Sequence, residues 1–149
     1  MASSGGATVT AASLIQTANQ AQAYYTQNPG SGNAAEAREQ EILALIAAAE
    51  RGDRTQAALL AQAVQRFKGD ASVPEHLRFV AASRANELAI EQTPGQTRAQ
   101  RLAAYWQSAL AMIAQFPTEP APYWALLALA RDEPDAAAAS TQVSTLLAL

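Results

Sequence analysis

Alanine is the sequence feature that most limits what this chain can fold into. It supplies about a quarter of the residues, far more than in an ordinary soluble domain. Alanine is the strongest helix former, because it loses no side-chain entropy on folding and carries no polar group that competes with the backbone. β-Branched residues are sparse, and no stretch of strand length alternates apolar and polar residues. The sequence therefore predicts an all-α fold with closely packed helices.

Length and charge exclude several classes of protein. A chain of 149 residues predicts a single domain with a real core. Its formal charge of -3 argues against a nucleic-acid partner, and the absence of Cys excludes disulfides and thiolate metal sites. No apolar run approaches the roughly 20 residues of a membrane helix, and no signal peptide is visible. We expect no membrane span and favour the cytoplasm, with a periplasmic or secreted mature form still open.

Apolar residues at helical spacing, separated by turn signals, predict seven helices. We expect residues 1–9 to be a flexible N-terminus and residues 10–149 a single helical-repeat-like domain, with a linker at 28–32 (Asn-Pro-Gly-Ser-Gly). The positions expected in the core are, in chain order, Ala11, Leu14, Ile15, Ala18, Ala21, Tyr25, Ile42, Leu45, Ile46, Ala49, Ala57, Leu60, Ala61, Val64, Phe67, Leu77, Phe79, Ala81, Ala82, Ala85, Leu88, Ile90, Leu102, Trp106, Ala109, Leu110, Ile113, Phe116, Tyr123, Leu126, Leu127 and Ala130.

Three capping signals place the starts of helices. Capping boxes are predicted for Asn33 with Glu36 and for Asp53 with Gln56, and an N-cap at Thr93 with Gln96 three residues later. Gly52 is expected in the left-handed conformation at the end of the second helix, and Pro74 at the first position of the fourth. The two-residue connection Gly52-Asp53 forces its helices to lie antiparallel, as a helical hairpin.

Two architectures fit such a chain, an up-down bundle and a short right-handed solenoid of hairpins. The minimal hairpin connection favours the solenoid. So do the two apolar rows of the fourth helix, because a helix buried on two sides belongs in the middle of a stack.

The residues around the hairpin resemble a tetratricopeptide repeat (TPR). The pattern is Ala44-Leu45-x-x-Ala48-x-x-x-Gly52-Asp53-x-x-x-Ala57-x-x-x-Ala61-x-x-Val64, and a second fragment, Met112 to Pro117 followed by Tyr123, Leu126 and Leu127, is similar to the end of one repeat running into the next. The spacing of about 48 residues between Gly69 and Pro117 differs from the family period near 34. The resemblance implies a degenerate TPR-like stack.

Catalytic chemistry is not indicated. His76 is the only histidine, so it lacks companions as a metal ligand or an acid–base pair, and we interpret it as a surface residue at a helix start. Two acidic groups could suggest paired-carboxylate catalysis or calcium. We interpret Glu39/Glu41 as a solvated face and Asp132/Glu133/Asp135 as helix N-terminal charges. We expect no enzymatic activity, no catalytic residue, no metal and no cofactor.

Two Tyr-Trp pairs point to a binding surface instead. Neighbouring residues on a helix point about 100° apart, so Trp106 and Tyr123 are predicted in the core while Tyr105 and Trp124 are left toward the edge. Either a neighbouring helix covers these edge residues, or they anchor a partner. The predicted partner-binding residues are Tyr105, Arg101, Arg98 and Trp124, with the arginines able to receive carboxylates.

The sequence thus favours a non-enzymatic protein–protein interaction module, an adaptor, scaffold or chaperone-like protein that binds a peptide or amphipathic helix in a groove. The alternative is a self-assembling structural subunit or a component of a bacterial secretion or assembly system. That alternative rests on the uncharged, Ser/Ala/Thr-rich first helix and on the apolar C-terminal residues Val143, Leu146, Leu147 and Leu149, which need burial within the stack or against another copy.

Overall fold

The structure, a computed structural model, describes residues 8–149. The predicted flexibility of the N-terminus therefore lies, for residues 1–7, outside the described residues. Across 8–149 the chain forms helices and no strand, which confirms the all-α prediction. The helices are α1 (Ala11–Gln27), α2 (Ala34–Arg51), α3 (Arg54–Arg66), α4 (Glu75–Glu91), α5 (Arg98–Gln115), α6 (Ala121–Arg131) and α7 (Ala136–Leu147).

Side-chain caps start several of these helices. The predicted capping box at Asp53 is confirmed: Asp53 accepts from the backbone of α3, and the Gln56 side chain accepts from the backbone N–H of Asp53 at 2.8 Å. The box predicted at Asn33 is wrong, because Asn33 occupies the N-cap position of α2 without a side-chain hydrogen bond there. The N-cap predicted at Thr93 is also wrong. Thr97 caps α5, and Gln100 completes the box.

The glycine that ends α2 differs from the prediction. Gly52 has φ -107°, so it is not left-handed. A Cβ there would lie 2.6 Å from the Gln56 side chain that closes the capping box, so a larger residue would displace that flexible side chain from the box. The left-handed glycines among the described residues are Gly69 (φ 77°) and Gly95 (φ 73°). Gly69 lies in the turn after α3, which ends at Arg66 rather than at the glycine.

Contacts divide the chain into two compact units that meet in the sequence at Ala81 and Ala82. In the first unit, α1 packs on α2 and α2 packs on α3. Its core is built mostly from alanines of α1 and α2 around Ile42, Leu45, Leu60 and Phe67, and Leu60 is fully buried. The predicted core position Ala61 is exposed. The connection between α1 and α2, including the predicted linker 28–32, is a turn in which Ser31 N–H donates to the Asn28 carbonyl at 3.0 Å.

In the second unit, α5 packs on α6 and α6 packs on α7. Its core cluster contains Trp106, Ala109, Ile113, Leu126 and Ala130, with Leu126 fully buried. The core position predicted at Leu127 is wrong, because Leu127 is exposed. Of the C-terminal apolar residues, Leu146 packs against the cluster, whereas Val143, Leu147 and Leu149 are exposed, so their expected burial against another copy stays a prediction.

The fourth helix crosses the boundary between the units. Both of its predicted apolar rows contribute buried residues, Ala81, Ala85 and Leu88 from one row and Phe79 and Ala82 from the other. Leu77 and Ile90 are half-buried. Pro74 lies just before the first residue of the helix, Glu75, and its carbonyl accepts from Arg78 N–H at 3.1 Å.

Candidate functional site

Three of the predicted binding residues lie on α5, and one of them, Tyr105, lies near acidic side chains of α4. Tyr105 is half-buried, and its pKa is raised by burial and by the carboxylates of Glu91 and Glu87. Arg101 and Arg84 oppose that rise. The phenol therefore sits in a mixed-charge environment in which it stays protonated and can donate a hydrogen bond at neutral pH.

Arg98 lies at a cavity of about 310 Å³, which we call the Arg98 cavity. The cavity lies among the first turns of α5, the end of α6 and α7. Its lining includes Arg98, Leu102, Ala103, Leu129, Glu133 and Gln142. Arg98 itself is exposed. The pKa of Asp132 is held low mainly by the hydrogen bond and charge of Arg131, and Arg98 adds to that effect.

Trp124 lies on the side of α6 that points away from the core. Leu126, two positions along the helix, is fully buried, while Trp124 is 67% exposed, as expected from a rotation of about 200° between them. Within residues 8–149, the indole is left largely uncovered by the neighbouring helices. Its partner in the Tyr-Trp pair, Tyr123, packs on the core cluster, and the Tyr123 hydroxyl donates to the Pro117 carbonyl at 3.4 Å.

Of the four predicted residues, Arg98 alone lines the Arg98 cavity. Arg98 faces the α6–α7 end of the unit and Tyr105 faces α4, while Trp124 stands outside the lining of the Arg98 cavity. The last two helices expose further apolar side chains: Leu127 on α6, three residues after Trp124, and Val143 and Leu147 on α7. A partner-binding role for the four residues stays a prediction.

The structure places His76 and Asp135 at the starts of helices. His76 is exposed at the start of α4, with its ring 6.2 Å from that of Phe79. Asp135 caps α7 by accepting from Ala138 N–H at 2.9 Å, in line with the helix-start interpretation. For Asp132 that interpretation is wrong, because Asp132 is the C-cap residue of α6. Among residues 8–149 no three metal-ligating side chains gather, and none of the helices there is long and apolar enough to cross a bilayer.

The interpretation of Glu41 as part of a solvated face is wrong. Its side chain is only 2% exposed, between α1 and α3. The Tyr25 hydroxyl donates to Glu41 Oε2 at 2.7 Å, and the Arg66 guanidinium pairs with Oε1. Burial and this hydrogen bond raise the pKa of Tyr25. The helical spacing could have revealed Glu41, because it shares a face with the buried alanines four before and seven after it.

Further aromatic and charged groups lie around Tyr25 and Glu41. The Tyr25 ring contacts Phe67 edge to face, with centroids 6.2 Å apart, and the Arg38 guanidinium lies 4.8 Å from the Tyr25 ring centre. Arg38 also pairs with Asp70 at 3.6 Å. We call Tyr25, Arg38, Glu41, Arg66 and Phe67 the Glu41 cluster. Because these contacts join α1, α2 and α3, we interpret the Glu41 cluster as structural.

Comparison of the chain with protein-family models, with curated proteins and with solved structures gives no match. The fold and its surfaces define an all-α protein of two compact helical units, with apolar side chains exposed on the last two helices.

Proposed function

We propose that this protein is a non-enzymatic interaction module that binds a peptide or an amphipathic helix of a partner protein. The observation that carries the proposal is the exposed indole of Trp124. Tryptophan is among the residues most often found at binding hot spots, because it buries a large area at little cost in conformational entropy. An indole left 67% exposed retains most of that area for a partner.

The surroundings of Trp124 extend the surface. Leu127 lies three residues further along α6, on the same exposed side, and is also exposed. Residues three apart on a helix are neighbours, so the indole and the isobutyl group offer one continuous apolar stripe. An amphipathic helix of a partner carries apolar side chains at positions i, i+3 and i+4, and these side chains can pack on such a stripe. In the same unit Tyr105 and Arg101 supply polar groups that a partner could meet.

We further propose that the helices form a TPR-like stack. Support comes from the α2–α3 hairpin: Gly52 and Asp53 alone connect the two helices, and Ala44 and Ala48 are buried beside that connection. These are the positions where the resemblance implies close helix approach. Small-angle scattering of the full chain tests the stack, because an extended solenoid gives a larger radius of gyration than a bundle of equal mass.

Affinity capture tests the binding proposal. The wild-type chain and Trp124→Ala, alone and with Tyr105→Ala, are used as bait in a native lysate of the source organism. Leu43→Ala is the matched control, since Leu43 is an exposed apolar residue of α2 in the other unit, 54% exposed. We expect proteins retained by the wild type and the control to be lost from the Trp124 variants at unchanged helicity. Equal capture by all baits contradicts the proposal.

A second candidate, self-assembly, is favoured by α7. This helix has no buried residue, carries no Asp, Glu, Lys or Arg, and exposes Val143 and Leu147, the latter at 84%. Two uncharged helices can approach without like-charge repulsion. Light scattering coupled to size exclusion decides: self-assembly predicts a dimer or larger species that Leu147→Lys converts to a monomer. A wild-type chain that stays monomeric at high concentration contradicts it.

A further inference from the structure

One side of α7 carries small and apolar residues at the spacing of a coiled coil. Ala136, Ser140, Val143 and Leu147 follow one another at intervals of four, three and four residues, and all of them are exposed. Core positions of a coiled coil have this spacing, which places the side chains along one line that can face a second helix. We call these residues the α7 seam.

The part of the chain that the structure describes leaves the α7 seam open to solvent. Leu146 packs on the core cluster, and the rotation of about 100° to the next residue turns Leu147 outward, where it is 84% exposed. The helix contains no Asp, Glu, Lys or Arg, so no charge on α7 would lose its water if the seam were covered. The seam therefore fits another helix with the same spacing.

Side-chain size increases along the seam. Ala136 and Ser140, in the first half of α7, are small, whereas Val143 and Leu147, in the second half, are larger. A parallel copy would place Leu147 against Leu147 and leave space where alanine meets alanine. An antiparallel copy pairs Leu147 with Ala136 and Val143 with Ser140, so every contact joins a larger side chain to a smaller one and the space between the helices is filled evenly. Antiparallel packing also brings opposite ends of the two helix dipoles together.

We propose that α7 packs antiparallel against α7 of a second copy of this chain, about a twofold axis near Thr141. Both copies then contribute the same patch, as in other twofold dimers. The inference rests on the second candidate function, self-assembly, and deepens it by assigning the contact. α7 has 12 residues and is about 18 Å long, so the contact buries less than the roughly 800 Å² per partner of a stable complex. The dimer is therefore weak and depends on concentration.

Disulfide trapping tests this contact, because the chain has no Cys of its own. Ala136→Cys and Leu147→Cys chains, one of them isotope-labelled, are mixed at high concentration and oxidised in a glutathione buffer, and mass spectrometry separates the products. We expect the mixed disulfide to form several-fold faster than the disulfide of either variant with itself. In the antiparallel pair, position 136 of one copy faces position 147 of the other. The two copies of position 147 lie ~16 Å apart along the helix axis, beyond the reach of a disulfide.

Ala137→Cys mixed with Leu147→Cys is the matched control. Ala137 is exposed and adjacent to Ala136 in the chain, but it lies about 100° further around the helix, outside the seam. We expect its mixed disulfide with Leu147→Cys to form several-fold more slowly. Each mixture is also oxidised in urea, where the rates report thiol reactivity without the folded contact. Circular dichroism verifies that each variant is folded.

The proposal is overturned if the mixed disulfide of Ala136→Cys and Leu147→Cys forms no faster than the control, or if Leu147→Cys reacts fastest with itself, as a parallel pair predicts. These results are separate from the tests of function. A chain that light scattering shows to be a dimer but that fails the trapping test keeps self-assembly and loses the α7 contact. Partner capture through Trp124 is measured independently, because Trp124 lies on α6.

Discussion

The buried carboxylate of Glu41 has two protein partners, the Tyr25 hydroxyl and the Arg66 guanidinium. Glu41→Gln keeps the shape and an acceptor for Tyr25 but loses the charge that pairs with Arg66. Hydrogen bonds to charged groups contribute about 1.5–3 kcal/mol each. Because the Arg66 side chain is half-exposed and water can solvate it, we expect a loss in unfolding free energy near 1.5 kcal/mol. Urea denaturation measures it.

Glu39→Gln is the matched control for Glu41→Gln. Both carboxylates lie on α2 two residues apart, but Glu39 is more exposed than Glu41. We expect Glu39→Gln to change the unfolding free energy by less than about 0.5 kcal/mol, as is usual for surface substitutions. Equal effects of the two variants would show that the Glu41 cluster does not stabilise the fold.

Tyr25 makes the same cluster sensitive to alkaline pH. Burial and the hydrogen bond to Glu41 raise the pKa of Tyr25 above its ordinary value of 10.0. The folded state therefore holds the phenolic proton more tightly than the unfolded state, so its stabilising contribution is complete below pH 10.0 and is lost as the pH rises through the folded pKa. We expect Tyr25→Phe to flatten the fall in melting temperature above pH 10.0. A Phe variant with the same alkaline slope contradicts this.

Among single residues, the sequence is informative where the partner is local. The reciprocal contacts of Asp53 and Gln56 span three residues, and their prediction was correct. Arg66, which pairs with the buried Glu41, is 25 residues away, and a Glu is typically exposed, so only the helical spacing of α2 could have indicated that Glu41 is buried. Trp124 was placed at the edge of its helix by rotation alone. The neighbour Leu127 was misplaced, because α6 is apolar on nearly every side and has no polar face to orient it.

At the scale of elements, the capping pattern alone does not fix where a helix begins. The segment before α5 contains Thr93-Pro94-Gly95-Gln96 and then Thr97-Arg98-Ala99-Gln100, two threonines each followed three residues later by glutamine. Both match the capping pattern, so pattern alone cannot choose between them. The structure uses the second, because Thr93 is still tied to the end of α4, its hydroxyl donating to the Ala89 carbonyl at 2.7 Å, and Gly95 turns the chain with φ 73°.

This pair of threonines gives a prediction for α5. Thr97→Ala removes the oxygen that accepts from Gln100 N–H and should lower the unfolding free energy by about 1 kcal/mol, the usual contribution of an N-cap. Thr93→Ala removes only an exposed contact at the end of α4 and should cost less than about 0.5 kcal/mol. Thermal denaturation followed by circular dichroism compares the two variants. A larger effect at Thr93 would contradict the cap assignment.

On the scale of the whole molecule, each unit has its own buried leucine. Leu60 is fully buried in the first unit and Leu126 in the second, where Trp106 and Ile113 surround it. The sequence placed both leucines in the core through helical spacing. It predicted a single domain from length, while the division of contacts at Ala81 and Ala82 arises from which helices pack on which, and such long-range pairing leaves no local signal.

Truncating these two leucines compares the units directly. Leu60→Ala and Leu126→Ala each remove the same atoms from a fully buried site, and each should cost about 2–5 kcal/mol through lost burial and a residual cavity. Since each leucine packs within its own unit, we expect Leu126→Ala to raise amide hydrogen exchange most in α5 and α6, and Leu60→Ala most in α2 and α3. Exchange measured by mass spectrometry on both variants resolves this. If either variant raises exchange equally in all four helices, the units do not open independently and the two cores stabilise one cooperative fold.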